Sequence, residues 1–269
     1  MSISDLYRGF AGRSPQQVVV AMAKTVASYS RSLMPSERRA RSLLYAFDRK
    51  WGTDTTGVVK RRDLDFPPEQ ADRFHQYEVS GTDALATVLG LLNTAPGEFT
   101  FVDVGSGKGR VVLEASQVPF RRCIGIEYST KLHEIALANA RLFTEHGGPC
   151  VEPEFWQGDA RDYPLPSGPL LLYLYNPFFP PVLGEFLDRV EQSVAEGPRE
   201  VYLAYVNPEH IESFDTRVGW RQIAEVPNVV LLKLVQQAAA ACGLRGRALS
   251  NRRSQQQSSQ GGNRENPHD

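Results

Sequence analysis

A glycine-rich turn is the strongest chemical signal in the sequence. In the segment FVDVGSGKGR, at Phe101–Arg110, an apolar strand ends in an acid and is followed by three alternating glycines. Glycine reaches positive φ without steric cost, so backbone amides in such a turn can approach a ligand closely. The helix expected after the turn favours negative charge at its N-terminus. We therefore predict a ligand cradle made of Asp103, Gly105, Ser106, Gly107 and Gly109.

A second acid, Glu127, stands in the segment IGIEYS, where the second strand of the predicted sheet should end. A carboxylate there can accept hydrogen bonds from both hydroxyls of a ribose, each worth about 1.5–3 kcal/mol. Folds that bind NAD use the same geometry, so Glu127 does not decide the cofactor. Glu127 and its neighbour Tyr128 are predicted cofactor contacts.

Two features favour S-adenosylmethionine (SAM) over NAD. The glycines are spaced G-x-G-x-G, and Arg110 stands where the dinucleotide fingerprint needs a further glycine. In addition, Gln157-Gly158-Asp159-Ala160 ends the third strand, where an acid can receive the adenine amine. Asp159 and Ala160 are therefore candidate cofactor contacts. The alternative for Asp159 is a helix cap or turn residue.

An Asn-Pro-Phe-Phe turn, Asn176 to Phe179, follows the apolar strand LLLYL at the edge where such sheets bind ligands. Methyl transfer from a sulfonium needs in-line positioning more than acid–base help. We predict that Asn176 orients the acceptor and contacts the cofactor, that Pro177 stiffens the turn, and that Phe178 walls the site. The alternative is a strand-ending turn with core aromatics.

The acceptor atom is expected to be nitrogen. An oxygen acceptor would need a general base such as His or Lys at the same edge, and the sequence shows none near Asn176. Four residues that precede the sheet are candidates to cover the cofactor or shape the acceptor pocket, with a purely structural cap as the alternative: Asp54, Thr55, Tyr77 and Glu78. Tyr77 is counted among the cofactor contacts.

Alternating strand-like and helix-like segments must position these residues. Strands are expected at Thr100–Val104, Cys123–Tyr128, Glu154–Gln157, Leu170–Tyr175, Val201–Val206 and Val229–Leu234, and helices at Gly109–Gln117, Lys131–His146 and Val182–Val194. This alternation predicts an α/β fold with a Rossmann-like, mostly parallel sheet flanked by helices. The last two of these strands could form an antiparallel edge pair.

Three regions are expected along the chain. Residues 1–95 are predicted to be a helical N-terminal extension or cap, because Val18, Val19, Met22 and Val26 recur at helical spacing. Residues 96–236 are predicted to be the SAM-binding methyltransferase domain. Residues 245–269 are polar and of low complexity, and are predicted to be a disordered tail.

Composition narrows the partners and the compartment. Lys plus Arg is 30 and Asp plus Glu is 31, a balance that argues against a nucleic-acid partner or an anionic membrane surface. The 3 cysteines form neither a disulfide framework nor a Cys-x-x-Cys metal motif, which fits a reducing cytoplasm. No stretch approaches the roughly 20 apolar residues of a membrane span. No two histidines form a close ligand pair in the sequence, so no metal site is expected.

Together these residues resemble the class I SAM-dependent methyltransferases, and more narrowly a little-characterised bacterial group within that class. The resemblance covers about residues 45–235 and rests on FDRKWGTDTTG, HQYEVSG, FVDVGSGKGRVVLEAS, FRRCIGIEYSTKLHEIA and LYLYNPF. The stretch 101–116 is also similar to the non-SET lysine methyltransferases, although this chain lacks their strongly basic extension. The resemblance implies SAM as cofactor and methyl transfer to an acceptor that it does not identify, a small molecule or a protein.

Two other functions remain open from the residues alone. One is an NAD-type oxidoreductase, against which Arg110 argues. The other is a non-catalytic SAM-binding module, in which the glycines or Glu127 would often be lost; this chain keeps both. The sequence does not predict the oligomeric state.

Overall fold

The computed structural model of this chain describes residues 35–67, 73–81 and 83–235. The predicted apolar helix around residues 18–26 and the predicted tail from residue 245 lie outside that range. The described helices are α1 (Pro35–Trp51), α2 (Ala84–Leu91), α3 (Arg110–Ala115), α4 (Thr130–Glu145) and α5 (Pro180–Glu196). The strands are β1 (Val58–Val59), β2 (Tyr77–Glu78), β3 (Thr100–Val104), β4 (Arg122–Glu127), β5 (Pro153–Gln157), β6 (Leu170–Tyr175), β7 (Val201–Val206), β8 (Trp220–Val226) and β9 (Val229–Leu234).

Seven strands form one sheet in the order β5-β4-β3-β6-β7-β9-β8. The first five strands in this order run parallel. The chain passes from β3 to β4 on one side and later returns to the other side of β3 as β6. The carboxyl ends of β3 and β6 therefore flank a topological switch point, the usual position of a ligand crevice in open α/β sheets. The prediction of a Rossmann-like, mostly parallel sheet is confirmed.

Both faces of the sheet are covered, which explains why its central strands are continuous apolar runs. Every residue of β3 is buried, as are the first five residues of β6. On one face α5 packs against alternate residues such as Val102 and Ile124. On the other face α2 and α3 pack against Phe101 and Leu171. Because the side chains of a strand alternate between faces, each strand contributes to both cores.

At the side of β7, the sheet ends in an antiparallel hairpin made of β8 and β9. The predicted antiparallel pairing of the Val201–Val206 and Val229–Leu234 segments is confirmed, since β7 pairs with β9. The expectation that this pair forms the edge is wrong, because β8 pairs with β9 on its other side. The sequence WRQIAEV of β8 is mostly exposed and carries charged residues, so it lacks the apolar run by which the other strands were predicted.

The described part of the N-terminal region wraps the carboxyl ends of the strands. Trp51 of α1 packs edge-on against Phe143 of α4, with ring centroids 4.7 Å apart. Between α1 and α2 the described residues include the 3₁₀ turn Arg61–Asp63 and the strands β1 and β2, which pair as a separate two-stranded sheet. The prediction of a helical extension did not include this sheet. None of the helices in the described ranges is both long and apolar enough to cross a membrane.

Candidate functional site

A cavity of about 310 Å³ opens at the carboxyl ends of β3, β4 and β6. This volume is at the lower end of the range of about 300–1,000 Å³ typical of ligand pockets. The predicted site residues that line it are Tyr77, Asp103, Gly105, Ser106, Gly107, Glu127, Tyr128, Ala160, Asn176, Pro177 and Phe178. Residues so distant in the chain meet here because the strands that carry them end at the same edge.

Backbone hydrogen bonds fix the glycine turn after β3. The amides of Gly105 and Ser106 both donate to the carbonyl of Ile126, at 2.9 Å each. The amide of Gly109 donates to the carbonyl of Ser106 at 2.8 Å, which closes the turn before α3 begins. The turn is therefore tied to β4 at the residue before Glu127.

Only glycine fits at two positions of this turn. Gly105 has a φ of 79° and Gly107 a φ of 54°, in the region that residues with a Cβ seldom occupy. A Cβ at Gly105 would lie 2.6 Å from the side chain of Pro177, and one at Gly107 would lie 2.2 Å from the Tyr77 ring. The turn is thus packed between the Asn-Pro-Phe turn on one side and the N-terminal region on the other.

Glu127 is held at the tip of β4 by two backbone amides. Gly107 donates to one carboxylate oxygen and Ser129 to the other, both at 2.8 Å. The side chain is buried. Burial raises the pKa of Glu127 to about 7, although the hydrogen bonds from Ser129 and Gly107 oppose the rise. A carboxylate has about four acceptor positions, so Glu127 keeps acceptor capacity for a ligand.

Asp103 is a second buried acid in the same cavity. Burial raises its pKa well above the usual range, and the like charges of Glu127 and Glu114 raise it further. Among the residues that the structure describes, no cation forms an ion pair with Asp103. The cavity therefore has an electrostatic preference for a positively charged ligand group beside Asp103.

Tyr77 covers the glycine turn from the N-terminal side. Its hydroxyl donates to the carbonyl of Thr55, and Lys108 lies over its ring at 5.7 Å. Lys108 in turn pairs with Asp54 at 2.9 Å. Asp54 and Thr55 do not line the cavity, but Thr55 holds Tyr77, which does. Glu78, the fourth candidate of this group, lines the cavity directly.

The Asn176 turn forms the opposite wall. Asn176 is buried and has a φ of 49°, a left-handed conformation that asparagine tolerates better than most residues. Its side-chain oxygen accepts a hydrogen bond from the Tyr205 hydroxyl at 2.9 Å. Burial raises the pKa of Tyr205 to about 12, so its hydroxyl stays protonated at neutral pH and keeps donating. The amide oxygen therefore has one lone pair left for a substrate.

The segment before β2 is tethered to this turn. Phe74 forms an isolated antiparallel bridge with Phe178. The Pro177 carbonyl accepts a hydrogen bond from the backbone amide of His75 at 3.4 Å. Phe178 is buried and packs 6.0 Å from the ring of Phe186, so it belongs to the core as well as to the cavity wall. Phe178 therefore packs in the core and also lines the cavity, and its role in walling the site stays a prediction.

Two predicted cofactor contacts do not line the cavity. A Cβ at Gly109 would lie 2.9 Å from the ring of Phe155, so this glycine permits close packing behind the turn. Asp159 pairs with Arg161 and lines a separate shallow depression beside Tyr128. Arg161 also donates to Asp159 through its Nε at 2.9 Å, which competes with an adenine amine for the carboxylate.

The structure also brings histidines to the cavity mouth that the sequence did not connect. The ring of His75 stacks on Phe179, with centroids 4.2 Å apart. The absence of a histidine near the Asn176 turn, inferred from the sequence, is therefore wrong. Potential metal-ligand atoms of His75, Glu209 and His210 all lie within 4.8 Å of one another. Sequence spacing could not predict this grouping, because its members come from distant parts of the chain, and the expectation of no metal site stays a prediction.

Replacing Gly107 with alanine is expected to destabilise the fold by about 1–3 kcal/mol, because of the positive φ and the overlap with Tyr77. Urea unfolding measures the effect. In the double variant Gly107→Ala/Tyr77→Ala, the overlap with the Tyr77 ring should no longer contribute to the effect of the Gly107 substitution, whereas the cost of the positive φ should remain. Gly90→Ala is the matched control, since nothing lies within 4 Å of a Cβ there. Unchanged stability in Gly107→Ala would contradict the contact between the turn and Tyr77.

No protein-family model matches the chain, and no curated protein matches it. Solved structures with a similar arrangement include an RNA methyltransferase from Salinibacter ruber in complex with S-adenosyl-L-homocysteine (SAH). It is 20% identical, covers 59% of this chain and 95% of its own, and has a TM-score of 0.42. The ribosomal protein L11 methylase of Lactobacillus delbrueckii subsp. bulgaricus is 12% identical, covers 67% and 98%, and has a TM-score of 0.43.

The magnesium protoporphyrin IX methyltransferase of Synechocystis PCC 6803, solved with SAH, is 14% identical over 58% of this chain and 81% of its own, with a TM-score of 0.42. These three similar proteins act on three different kinds of acceptor. Identities of 20% or less with TM-scores below 0.5 do not establish an activity. The activity therefore has to be inferred from the residues of the cavity.

Proposed function

We propose that this protein is a SAM-dependent methyltransferase. The observation that carries the proposal is the pair of buried acids, Asp103 and Glu127, on either side of a glycine turn at the switch point of the sheet. SAM offers a ribose diol to one acid and a positively charged amino and sulfonium end to the other. Both acids are raised in pKa mainly by burial, and a cationic ligand lowers a raised carboxyl pKa.

The same charges argue against NAD. The pyrophosphate of a dinucleotide is an anion and would have to lie on the glycine turn between Asp103 and Glu127. An anion there would raise the pKa of both acids further, so Glu127 would lose the negative charge with which it is proposed to hold a ribose diol. Arg110 does not offset these charges, because its guanidinium is engaged with Glu114 at 2.5 Å and with Thr55 at 3.1 Å.

Within this proposal, Glu127 accepts hydrogen bonds from the ribose hydroxyls and Tyr128 flanks the adenosine. The turn Gly105–Gly107 is proposed to lie beneath the cofactor, because its backbone can approach a ligand closely. Ala160 and Asp159 are proposed to flank the adenine, with Asp159 exchanging its contact to Arg161 for the adenine amine. Tyr77 is proposed to contact the cofactor from the N-terminal side, so that the extended segment acts as a cap.

Methyl transfer places few chemical demands on the protein. The sulfonium is already a good leaving group, so the protein has to align a neutral nucleophile with the methyl carbon and exclude water. Asn176 is proposed to orient the acceptor through the free lone pair of its side-chain oxygen. Pro177 and Phe178 keep that oxygen in place, since both are packed against the glycine turn or the core.

We propose nitrogen as the acceptor atom, on a small molecule or a protein. A carbonyl oxygen that receives N–H groups leaves the nitrogen lone pair free to attack. An oxygen acceptor is the second candidate, and it is favoured by one observation, the position of His75 beside Phe179. Burial lowers the pKa of His75, so its imidazole is neutral and can act as a base.

Isothermal titration with SAH, and separately with NADH, tests the cofactor. We expect saturable SAH binding and no NADH binding; the reverse would favour an oxidoreductase. Incubating the protein and labelled SAM with a lysate of host cells that lack the protein then locates the product. Label should enter the protein or the small-molecule fraction, and mass spectrometry should find it on nitrogen. Binding without turnover on a panel of amines and hydroxyls would favour a non-catalytic module.

A further inference from the structure

Three potential metal ligands meet at the mouth of the cavity, beyond the residues assigned to the cofactor. They are His75 from the segment before β2, and Glu209 and His210 from the loop after β7. His75 and Glu209 also line the cavity itself. A group bound by all three would therefore lie beside the proposed acceptor position.

The imidazole nitrogens in this group lack the partners that buried polar atoms normally have. The Nε2 atoms of His75 and His210 are both buried and form no hydrogen bond. Such atoms are rare in native proteins, because leaving one unsatisfied costs about 1–3 kcal/mol. Two of them beside one carboxylate call for a common partner, and a neutral imidazole nitrogen is the commonest protein ligand of metal ions.

Both rings are held in position. His75 is stacked on Phe179, with ring centroids 4.2 Å apart. The Nδ1 atom of His210 lies 3.4 Å from a carboxylate oxygen of Glu212. A carboxylate on Nδ1 favours the tautomer that carries its proton there, which leaves the Nε2 lone pair free for a metal ion.

We propose that His75, Glu209 and His210 bind one divalent transition-metal ion, with Zn²⁺ as the best match to two imidazoles and one carboxylate. Tetrahedral Zn²⁺ with bonds of about 2.0–2.1 Å places its ligand atoms about 3.4 Å apart, so the group, whose atoms lie within 4.8 Å of one another, must contract by up to about 1.4 Å. Glu209 is exposed and can make that movement. One of its oxygens accepts from Asn207 at 3.3 Å, which orients the carboxylate.

Three protein ligands leave one tetrahedral position for another molecule. Because His75 and Glu209 line the cavity, we place that position on the cavity side. It would take an oxygen or nitrogen donor of the methyl acceptor and fix it near Asn176. This step rests on the proposed function, whereas the metal site itself does not.

The test is a calorimetric titration of the full chain, stripped with a chelator, with Zn²⁺ alone. We expect about one ion per chain. Removing a hydrogen-bond partner of a metal ligand typically weakens metal binding roughly 10–100-fold. His75→Ala and His210→Ala remove a ligand itself and should weaken Zn²⁺ binding by at least that much. Glu212→Gln removes such a partner and should weaken it about 10-fold. His146→Ala is the matched control, since His146 is exposed and lies at the end of α4. Its Zn²⁺ affinity should equal that of the wild type.

Substitution with Co²⁺ adds a direct readout, because its visible absorption depends on the ligands. The spectrum should change in both histidine variants and remain the same in His146→Ala, with circular dichroism checking the fold of each. Failure to bind stoichiometric Zn²⁺, or wild-type Zn²⁺ affinity in His75→Ala and His210→Ala, would overturn the metal site. SAH titration of the metal-free protein separates the two proposals. A protein that binds SAH but not Zn²⁺ rejects the metal site alone. A protein that binds Zn²⁺ but not SAH rejects the proposed cofactor.

Discussion

The Glu127→Ala protein is expected to bind SAH about 30- to 1,000-fold more weakly than the wild type, a loss of about 2–4 kcal/mol. Two charge-assisted hydrogen bonds to the ribose would be lost. In addition, the amides of Gly107 and Ser129, which now donate to the carboxylate at 2.8 Å, would lose their acceptor. Calorimetry measures the affinity. Glu134→Ala, an exposed acid on α4, is the control and should bind normally.

The same carboxyl group should make SAH binding depend on pH. Burial raises its pKa to about 7, and the ribose hydroxyls require the ionised form. Affinity should therefore fall as pH drops below about 7, by up to about tenfold per pH unit. The contribution of this group to the stability of the free protein should have the opposite pH dependence. Because the folded-state pKa lies above the unfolded value, this contribution is present at low pH and is lost as pH rises through about 7.

In Glu127→Ala both effects should be absent. A wild-type protein whose SAH affinity is the same at about pH 6 and about pH 8, or a Glu127→Ala protein with normal affinity, would show that this carboxylate does not hold the ribose.

The sheet was predictable because its central strands are buried on both faces. Thr100–Val104, Leu170–Tyr175 and Val201–Val206 read as apolar runs and form strands with those bounds. The strand Trp220–Val226 was missed because it is an exposed edge, where pairing with β9 and not burial decides the conformation.

The residues of the site also fall into a group that the sequence could predict and a group that it could not. The residues on the strand ends, such as Glu127 and Asn176, could be placed from sequence because a strand's end fixes where its next residues lie. The contacts of the N-terminal segment could not. Nothing local in the sequence shows that Tyr77 covers Gly107, or that His75 meets His210, since both pairs are brought together by the path of an extended segment.

Asp159 shows that the place of a residue along the sequence does not reveal the partners of its side chain. It stands where an acid can receive an adenine amine, and it is bound by the neighbouring Arg161 through three hydrogen bonds. Burial opposes ionisation of Asp159, but these bonds lower its pKa below the usual value. The sequence predicts the location of such a carboxylate and not the partner that competes for it.

Replacing Asn176 with alanine is expected to lower kcat about 100-fold or more while SAH affinity changes only a few-fold, because the lost oxygen orients the acceptor. The physical reason is the fixed position of one atom, the side-chain oxygen of Asn176. The amide oxygen is fixed by the turn, whose φ of 49° is unusual, and by the Tyr205 hydroxyl at 2.9 Å. Loss of the oxygen leaves the acceptor free to rotate away from the methyl group. Single-turnover kinetics with labelled SAM measure the chemical step apart from binding.

Tyr205→Phe separates orientation from direct contact. Phenylalanine keeps the ring in the core and removes only the hydroxyl that holds the Asn176 oxygen. If Asn176 acts by position, this variant should lose about tenfold in kcat, because a small misplacement of a reacting group is costly, and its KM for SAM should stay near the wild-type value. If Asn176 only shapes the turn, Tyr205→Phe should have normal turnover. Near-normal kcat in Asn176→Ala, or a product methylated on oxygen or carbon, would reject the proposed role, because neither outcome needs an amide oxygen to hold the N–H groups of the acceptor.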